Sequence, residues 1–247
     1  MKISILKWCD RIISILKKRN IFFKNGVAVI PQASIYEKMP VMISTFKYRN
    51  DIPVELRSKS LLSYFMPDKD LWPRLEKIDK ELVVLKEYAG ITGFDLSPSL
   101  GMLIPRQRLS IFINSLFNCY CAINGIKIMP NARIGEFGTI PMINSIPLGS
   151  CFITSRLGCQ NHGNKAYGVF LIDKIIRIIR PSTLFVYGFI TLAEATHFIK
   201  KYSLKIVTFP DRRSRVRNSK KVWYYFEKNG VVFKSIYNSS SEERGEL

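Results

Sequence analysis

The chain has 247 residues, 47% of them hydrophobic, and carries a formal net charge of +19 at pH 7. This length and apolar content exclude a disordered chain, because they are enough to bury a sizeable core. The odd number of cysteines, 5, excludes the paired framework of a small secreted protein and predicts a cytoplasmic location. The positive charge predicts a polyanionic partner such as nucleic acid, with a solubilising surface or attraction to anionic lipid as the alternatives.

Residues 1–24 form a predicted basic amphipathic helix. Its apolar residues, among them Trp8, Ile12 and Leu16, recur at helical spacing between lysines and arginines. Charged residues such as Asp10 interrupt the apolar centre that a signal peptide needs. We expect this helix to dock on its own domain, which is the commoner outcome for an amphipathic helix, so a membrane is not an expected partner.

Residues 25–209 form a predicted α/β domain. Residues 43–53 have the character of a surface loop, and a helix is predicted over residues 70–88. Short apolar runs then begin at Ile91, Ile126, Cys151 and Thr183, and helical segments or long connections separate them. A fifth strand is predicted over 204–209. This rhythm predicts repeated β-α units with a mainly parallel sheet, either an open sheet or a partial barrel.

Polar residues follow three of the predicted strands, and the carboxyl ends of parallel strands converge on one edge. Asp95, Ser97 and Ser155 are the candidate catalytic residues, with Asp95 as a general base and turn capping as the structural alternative. The candidate anion-binding residues are Asn131, Arg133, Arg156 and Gly158. The acid-poor core argues against a two-metal site, and two histidines give little for zinc, so neither a metal nor a cofactor is predicted.

Residues 210–235 combine a basic segment with a predicted β-hairpin around Asn229-Gly230. Its cations can bind phosphates while its aromatic rings stack on unpaired bases. The alternative is a solvated loop followed by aromatic residues that belong to the core. Residues 236–247 form a predicted flexible tail. The candidate nucleic-acid-binding residues are Arg212, Arg213, Arg215, Arg217, Lys220, Lys221, Trp223 and Tyr225.

Residues 90–188 carry a resemblance in the order of their motifs. Gly-Phe-Asp-Leu-Ser-Pro, then Gly-Ser-Cys-Phe-Ile-Thr-Ser-Arg-Leu-Gly-Cys, then Val-Tyr-Gly is similar to a domain-of-unknown-function family of tailed phages, prophages and plasmids (number four-four-one-seven). The resemblance implies a mobile-element setting and no particular reaction. Arg133 departs from the pattern, since many members have a less basic residue there. The positions that match the pattern are Asp95, Ser97, Pro130, Gly149, Ser155, Gly158, Cys159, Tyr187 and Gly188.

These observations lead to one principal hypothesis and two alternatives. The principal one is a mobile-element protein that binds nucleic acid, DNA in preference to RNA, through a basic surface and a strand-end cleft for a phosphate or nucleotide. The first alternative is an enzyme that acts on nucleotides or nucleic acid, with Asp95 as its base. The second is a phage protein that binds and blocks a host factor.

Overall fold

A computed structural model describes residues 4–155, 165–188, 190–212, 221–227 and 230–237, the last two ranges as backbone. Within these ranges the helices are α1 (Ile5–Lys18), α2 (Asp68–Leu85), α3 (Ile104–Ile123), α4 (Lys165–Ile179) and α5 (Leu192–Tyr202). The strands are β1 (Phe23–Lys24), β2 (Val27–Ala28), β3 (Ile43–Thr45), β4 (Leu61–Ser63), β5 (Gly90–Ile91), β6 (Phe152–Ser155), β7 (Thr183–Tyr187), β8 (Lys205–Phe209), β9 (Lys221–Glu227) and β10 (Gly230–Tyr237). Short 3-10 helices span Gln32–Ser34, Phe46–Asp51, Val54–Lys59 and Phe137–Ser145.

Local sequence explains where the helices begin and which face they bury. Pro105 stands in the first turn of α3, where the missing N–H costs nothing. At the start of α5, the Thr191 hydroxyl accepts a hydrogen bond from the Glu194 N–H, and the Glu194 carboxylate accepts one from the Thr191 N–H. The amphipathic stripe of α2 is buried as its spacing predicts, through Leu71, Leu75, Ile78, Leu82 and Leu85.

The parallel strands follow one another in chain order. β3, β4 and β5 pair in parallel, and so do β6, β7 and β8. Residues 127–132, here called the linking segment, join the two groups, because Ile128 forms a parallel bridge with Ile91 and Asn131 forms one with Ile153. A doubly wound sheet reverses its strand order, whereas a barrel keeps the order of the chain. The strand order is therefore that of a barrel, and the α/β class is as predicted.

The sheet is curled rather than flat. Phe65 follows β4 and stacks on Tyr187 at the end of β7, with ring centroids 5.4 Å apart. In a flat sheet these strands would lie roughly 19 Å apart, since each step between neighbouring strands spans about 4.8 Å. Beyond the end of β8, Arg212 Nε lies 3.1 Å from the Oδ2 atom of Asp51, which follows β3. The segments that follow the first parallel strand, β3, and the last one, β8, are thus in contact, and the sheet is a partial barrel.

Each face of the second half of the sheet belongs to a different apolar core. Phe185 and Tyr187 point into the core that also contains residues of α1, α2 and α3. Leu184 and Val186, which alternate with them, pack under α4 and α5. The remaining strands, β9 and β10, pair antiparallel with each other, and β9 pairs antiparallel with β8.

The N-terminal helix packs onto the domain. Trp8, Cys9, Ile12 and Leu16 are buried, and the Trp8 indole N–H donates a hydrogen bond of 2.7 Å to the Leu75 carbonyl. The apolar face of α1 is therefore covered by protein. In the part of the chain that the structure describes, no helix combines the length and hydrophobicity needed to cross a bilayer.

The expectation of a surface loop over residues 43–53 was wrong at its start. Ile43–Thr45 is the buried strand β3, and Leu61–Ser63, for which no strand was predicted, is the buried strand β4 beside it. Strands of three residues that are covered on both faces show no alternation of polar and apolar residues. Their pairing in parallel with each other and with β5 identifies them.

Candidate functional site

Four of the predicted site residues meet at the carboxyl edge, the edge at which the parallel strands β3–β8 end. The Asn131 side-chain amide donates a hydrogen bond of 2.5 Å to Asp95 Oδ1. Arg133 contacts the same carboxylate through two nitrogens: Nη2 donates a hydrogen bond of 2.8 Å to Oδ2, and Nε lies 2.7 Å from Oδ1 as an ion-pair contact without hydrogen-bond geometry. Arg133 Nη2 also donates to Ser155 Oγ at 3.2 Å. Asp95, Asn131, Arg133 and Ser155 are called the strand-end cluster below.

Helix α3 fixes the backbone on which Asp95 stands. Regular pairing stops at Ile91, and side chains of α3 bond the extended residues that follow. The Asn118 Oδ1 atom accepts a hydrogen bond of 2.8 Å from the Phe94 N–H. The Asn114 side chain forms two hydrogen bonds with Leu96: its Oδ1 accepts from the N–H, and its Nδ2 donates to the carbonyl. Because these backbone groups are buried, the two asparagines satisfy hydrogen bonds that a ladder would otherwise provide. They therefore set the position of the Asp95 side chain.

Burial dominates the electrostatics of Asp95. Its side chain is 4% exposed and that of Arg133 is 10% exposed. Burial raises the pKa of Asp95 to about 6, although the Arg133 guanidinium and the Asn131 amide act in the opposite direction. Both carboxylate oxygens are therefore engaged, Oδ1 by Asn131 and Oδ2 by Arg133. Asn131 Oδ1 is buried without a hydrogen-bond partner in the described part of the protein.

Ser97 has a different environment from the cluster. Its hydroxyl donates to Asp68 Oδ1 at 3.0 Å, and its N–H donates to the same atom at 3.2 Å. Asp68 is the first residue of α2, so these bonds tie the end of the strand to the start of that helix. Ser97 therefore lies outside the strand-end cluster, and its catalytic role stays a prediction. Arg156 and Gly158 lie outside the described residues.

The basic segment, residues 210–221, begins and ends at the carboxyl edge. It follows β8 at that edge, and β9 runs antiparallel to β8, so β9 starts where β8 stops. Arg212 is held there, with its guanidinium 3.9 Å from the centroid of the Tyr48 ring and its Nε 3.1 Å from Asp51. Lys221, Trp223 and Tyr225 belong to β9, whose backbone alone is described. Arg213, Arg215, Arg217 and Lys220 lie outside the described residues.

A second group of cations at this edge was missed by the sequence reasoning. A cavity of 260 Å³, here called the cationic cavity, lies between the residues that follow β3 and β4 and the first half of α2. Lys69 and Lys77 lie on one face of α2, because residues four apart on a helix share a face, and this part of the group was visible in the sequence. Lys47 follows β3, so only the tertiary structure brings it to the same cavity. The residues that line the cationic cavity are Lys47, Met66, Lys69, Asp70, Pro73, Arg74 and Lys77.

The arrangement as a whole defines a class of protein: an α/β partial barrel with cations gathered at its carboxyl edge. The family described as Domain of unknown function (DUF4417) matches residues 30–210, which is more than half of the 247-residue chain. The chain therefore belongs to this family. The match extends well beyond residues 90–188, and it leaves out α1 and nearly all of the basic segment. Comparison with curated proteins and with solved structures found no match.

Proposed function

We propose that this protein binds nucleic acid at the carboxyl edge of its partial barrel, DNA in preference to RNA, as a component of a mobile genetic element. The observation that carries the proposal is the course of the basic segment, which leaves β8 and re-enters β9 at the edge that holds the strand-end cluster. Six of its residues are basic and only Asp211 is acidic. Such a concentration of positive charge attracts the phosphate backbone largely regardless of sequence.

Contacts of the described residues support this assignment. Arg212 is stacked on Tyr48 and paired with Asp51, so the first cation of the segment has a defined place on the edge. Arg133 is fixed by Asp95 in a nearly buried position, where its interaction with a phosphate is stronger than in water. A basic sequence that leaves and rejoins the sheet at this edge, beside the fixed Arg133 guanidinium, suits capture of a strand followed by binding of one phosphate.

The contacts of Asp95 weigh against the enzymatic alternative. A general base needs an oxygen within reach of the proton that it removes. Here Oδ1 accepts from Asn131 and faces Arg133 Nε, while Oδ2 accepts from Arg133 Nη2. We therefore assign Asp95 to the positioning of Arg133. The cytoplasmic location and the host-factor alternative stay predictions.

Retention on nucleic acid across a salt series tests the proposal. The test variant replaces Arg213, Arg215, Arg217 and Lys220 by glutamine, leaving the Arg212 contacts in place. If each cation neutralises one phosphate, the plot of log affinity against log salt becomes less steep. The magnitude of its negative slope decreases by about 3 for a single strand and about 4 for a duplex.

The control variant removes the same charge elsewhere, by replacing the exposed Lys59, Lys80, Lys86 and Lys200 with glutamine. It keeps most of the wild-type slope, because none of these lysines lies in the basic segment or lines the cationic cavity. Equal losses in the two variants would show that only net charge matters. Absence of retention at low salt would remove the proposal.

A further inference from the structure

The cationic cavity concentrates charge of one sign. Its lining supplies four cations, Lys47, Lys69, Arg74 and Lys77, and one carboxylate, Asp70. In the described part of the chain, none of the three lysines and no atom of Asp70 takes part in an ion pair. A net formal charge of +3 thus converges on one small space. Glu81, which lies outside the lining, offsets the charge of Arg74, so a net charge of +2 remains, and like charges held this close repel each other unless an anion binds.

Arg74 differs from an ordinary surface arginine because it is anchored from behind. Its Nη1 atom donates a hydrogen bond of 2.7 Å to Glu81 Oε1, and the Glu81 side chain is 6% exposed. Tyr64, which is fully buried, donates its hydroxyl hydrogen to Glu81 Oε2 at 3.3 Å. The Arg74 guanidinium also lies over the Phe46 ring, 4.7 Å from its centroid. The arginine is therefore held before any ligand arrives.

This anchoring leaves binding capacity for a ligand. A guanidinium has five N–H donors in a planar fork, and only Nη1 of Arg74 has a hydrogen-bond partner among the described residues. A side chain that is already ordered loses little entropy when it binds, so the affinity per contact is higher. A solvated patch of lysines needs neither a buried carboxylate nor an aromatic ring behind its arginine.

We infer that the cationic cavity binds a phosphate monoester group. A monoester carries about −1.5 to −2 charges at pH 7, which matches a cluster of this net charge better than a singly charged diester does. The volume of 260 Å³ is below the roughly 300–1,000 Å³ of pockets that enclose a drug-sized ligand. The site thus takes a phosphate with a small ester group and does not enclose a nucleobase.

Titration calorimetry with inorganic phosphate on the intact protein tests this inference. The test variant is Lys47→Gln/Lys69→Gln/Lys77→Gln, in which three exposed lysines change and the Arg74 anchor stays. We expect its affinity for phosphate to fall at least tenfold. The matched control, which replaces Lys59, Lys80 and Lys86 by glutamine, keeps affinity within about twofold, because these exposed lysines lie outside the cavity.

Two further probes identify the source of the phosphate. Ribose 5-phosphate that binds as tightly as phosphate indicates a small ester, and a 5′-phosphorylated oligonucleotide that displaces phosphate where its 5′-hydroxyl form does not indicates the end of a strand. No binding of phosphate by the wild type, or equal weakening in the two triple variants, overturns the inference. The inference does not rest on the basic segment, so loss of nucleic-acid retention leaves it intact.

Discussion

Replacement of Asp95 by asparagine is expected to change how the stability of the protein depends on pH. Burial raises the pKa of Asp95 from 3.8 to about 6, even with Arg133 beside it. Between these values the folded protein holds a proton that the unfolded chain has released. The stabilisation from this proton is complete below pH 3.8 and is lost as the pH rises through about 6.

The expected magnitude follows from the pKa. At about 1.4 kcal/mol per pH unit, the difference corresponds to about 3 kcal/mol of unfolding free energy. Loss of one partner from a buried ion pair costs about 3–5 kcal/mol in other proteins, which would act in the opposite direction. The raised pKa already includes the attraction of Arg133, so burial outweighs the pair here. We therefore expect Asp95→Asn to match the wild type near pH 4 and to be more stable by up to about 3 kcal/mol at pH 7.

Urea unfolding followed by tryptophan fluorescence, at intervals from pH 4 to pH 7.5, measures this difference. Asp79→Asn is the matched control, because that carboxylate pairs with Arg11 at the surface with half of its side chain exposed, and surface pairs contribute little. A wild type that is more stable than Asp95→Asn at pH 7, or two profiles that stay parallel, would refute the reasoning. The first result would mean that the ion pair outweighs burial.

The remaining predictions concern the outer helices and the backbone beside the cluster. Burial acts to raise the pKa of Asp173, but hydrogen bonds from Lys201 and Tyr202 outweigh it and lower the pKa overall. We therefore expect Asp173→Asn to destabilise the protein by about 1–3 kcal/mol at pH 7. The wild-type advantage should be complete above pH 3.8 and should shrink as the pH falls below it, which urea unfolding from pH 7 downward measures. Gly93→Ala should cost more stability than Gly101→Ala, by at least about 1 kcal/mol in thermal unfolding. Both glycines have φ near +80°, but only at Gly93 would a Cβ lie 3.1 Å from a backbone nitrogen; equal costs would contradict the prediction.

The sequence by itself was sufficient for the helices and for most of the second half of the sheet. Apolar spacing predicted α2 through Leu71, Leu75 and Ile78, and glycine and proline residues marked the ends of the segments. Runs such as 183–187 were recognisable because they are longer than a single turn and rich in β-branched and aromatic residues. The membership of the family also followed from the order of local motifs, which a linear chain displays directly.

Tertiary structure alone decided the partial barrel, the strand-end cluster and the cationic cavity. β3 and β4 become strands through their parallel neighbours, and the stacking of Phe65 on Tyr187 reveals a curl that no local pattern encodes. Asp95 was visible as a residue at the end of a strand, but its two-point contact with Arg133 joins positions 38 residues apart. The sequence shows which groups are available, whereas burial and long-range contacts determine their charge state, partners and orientation.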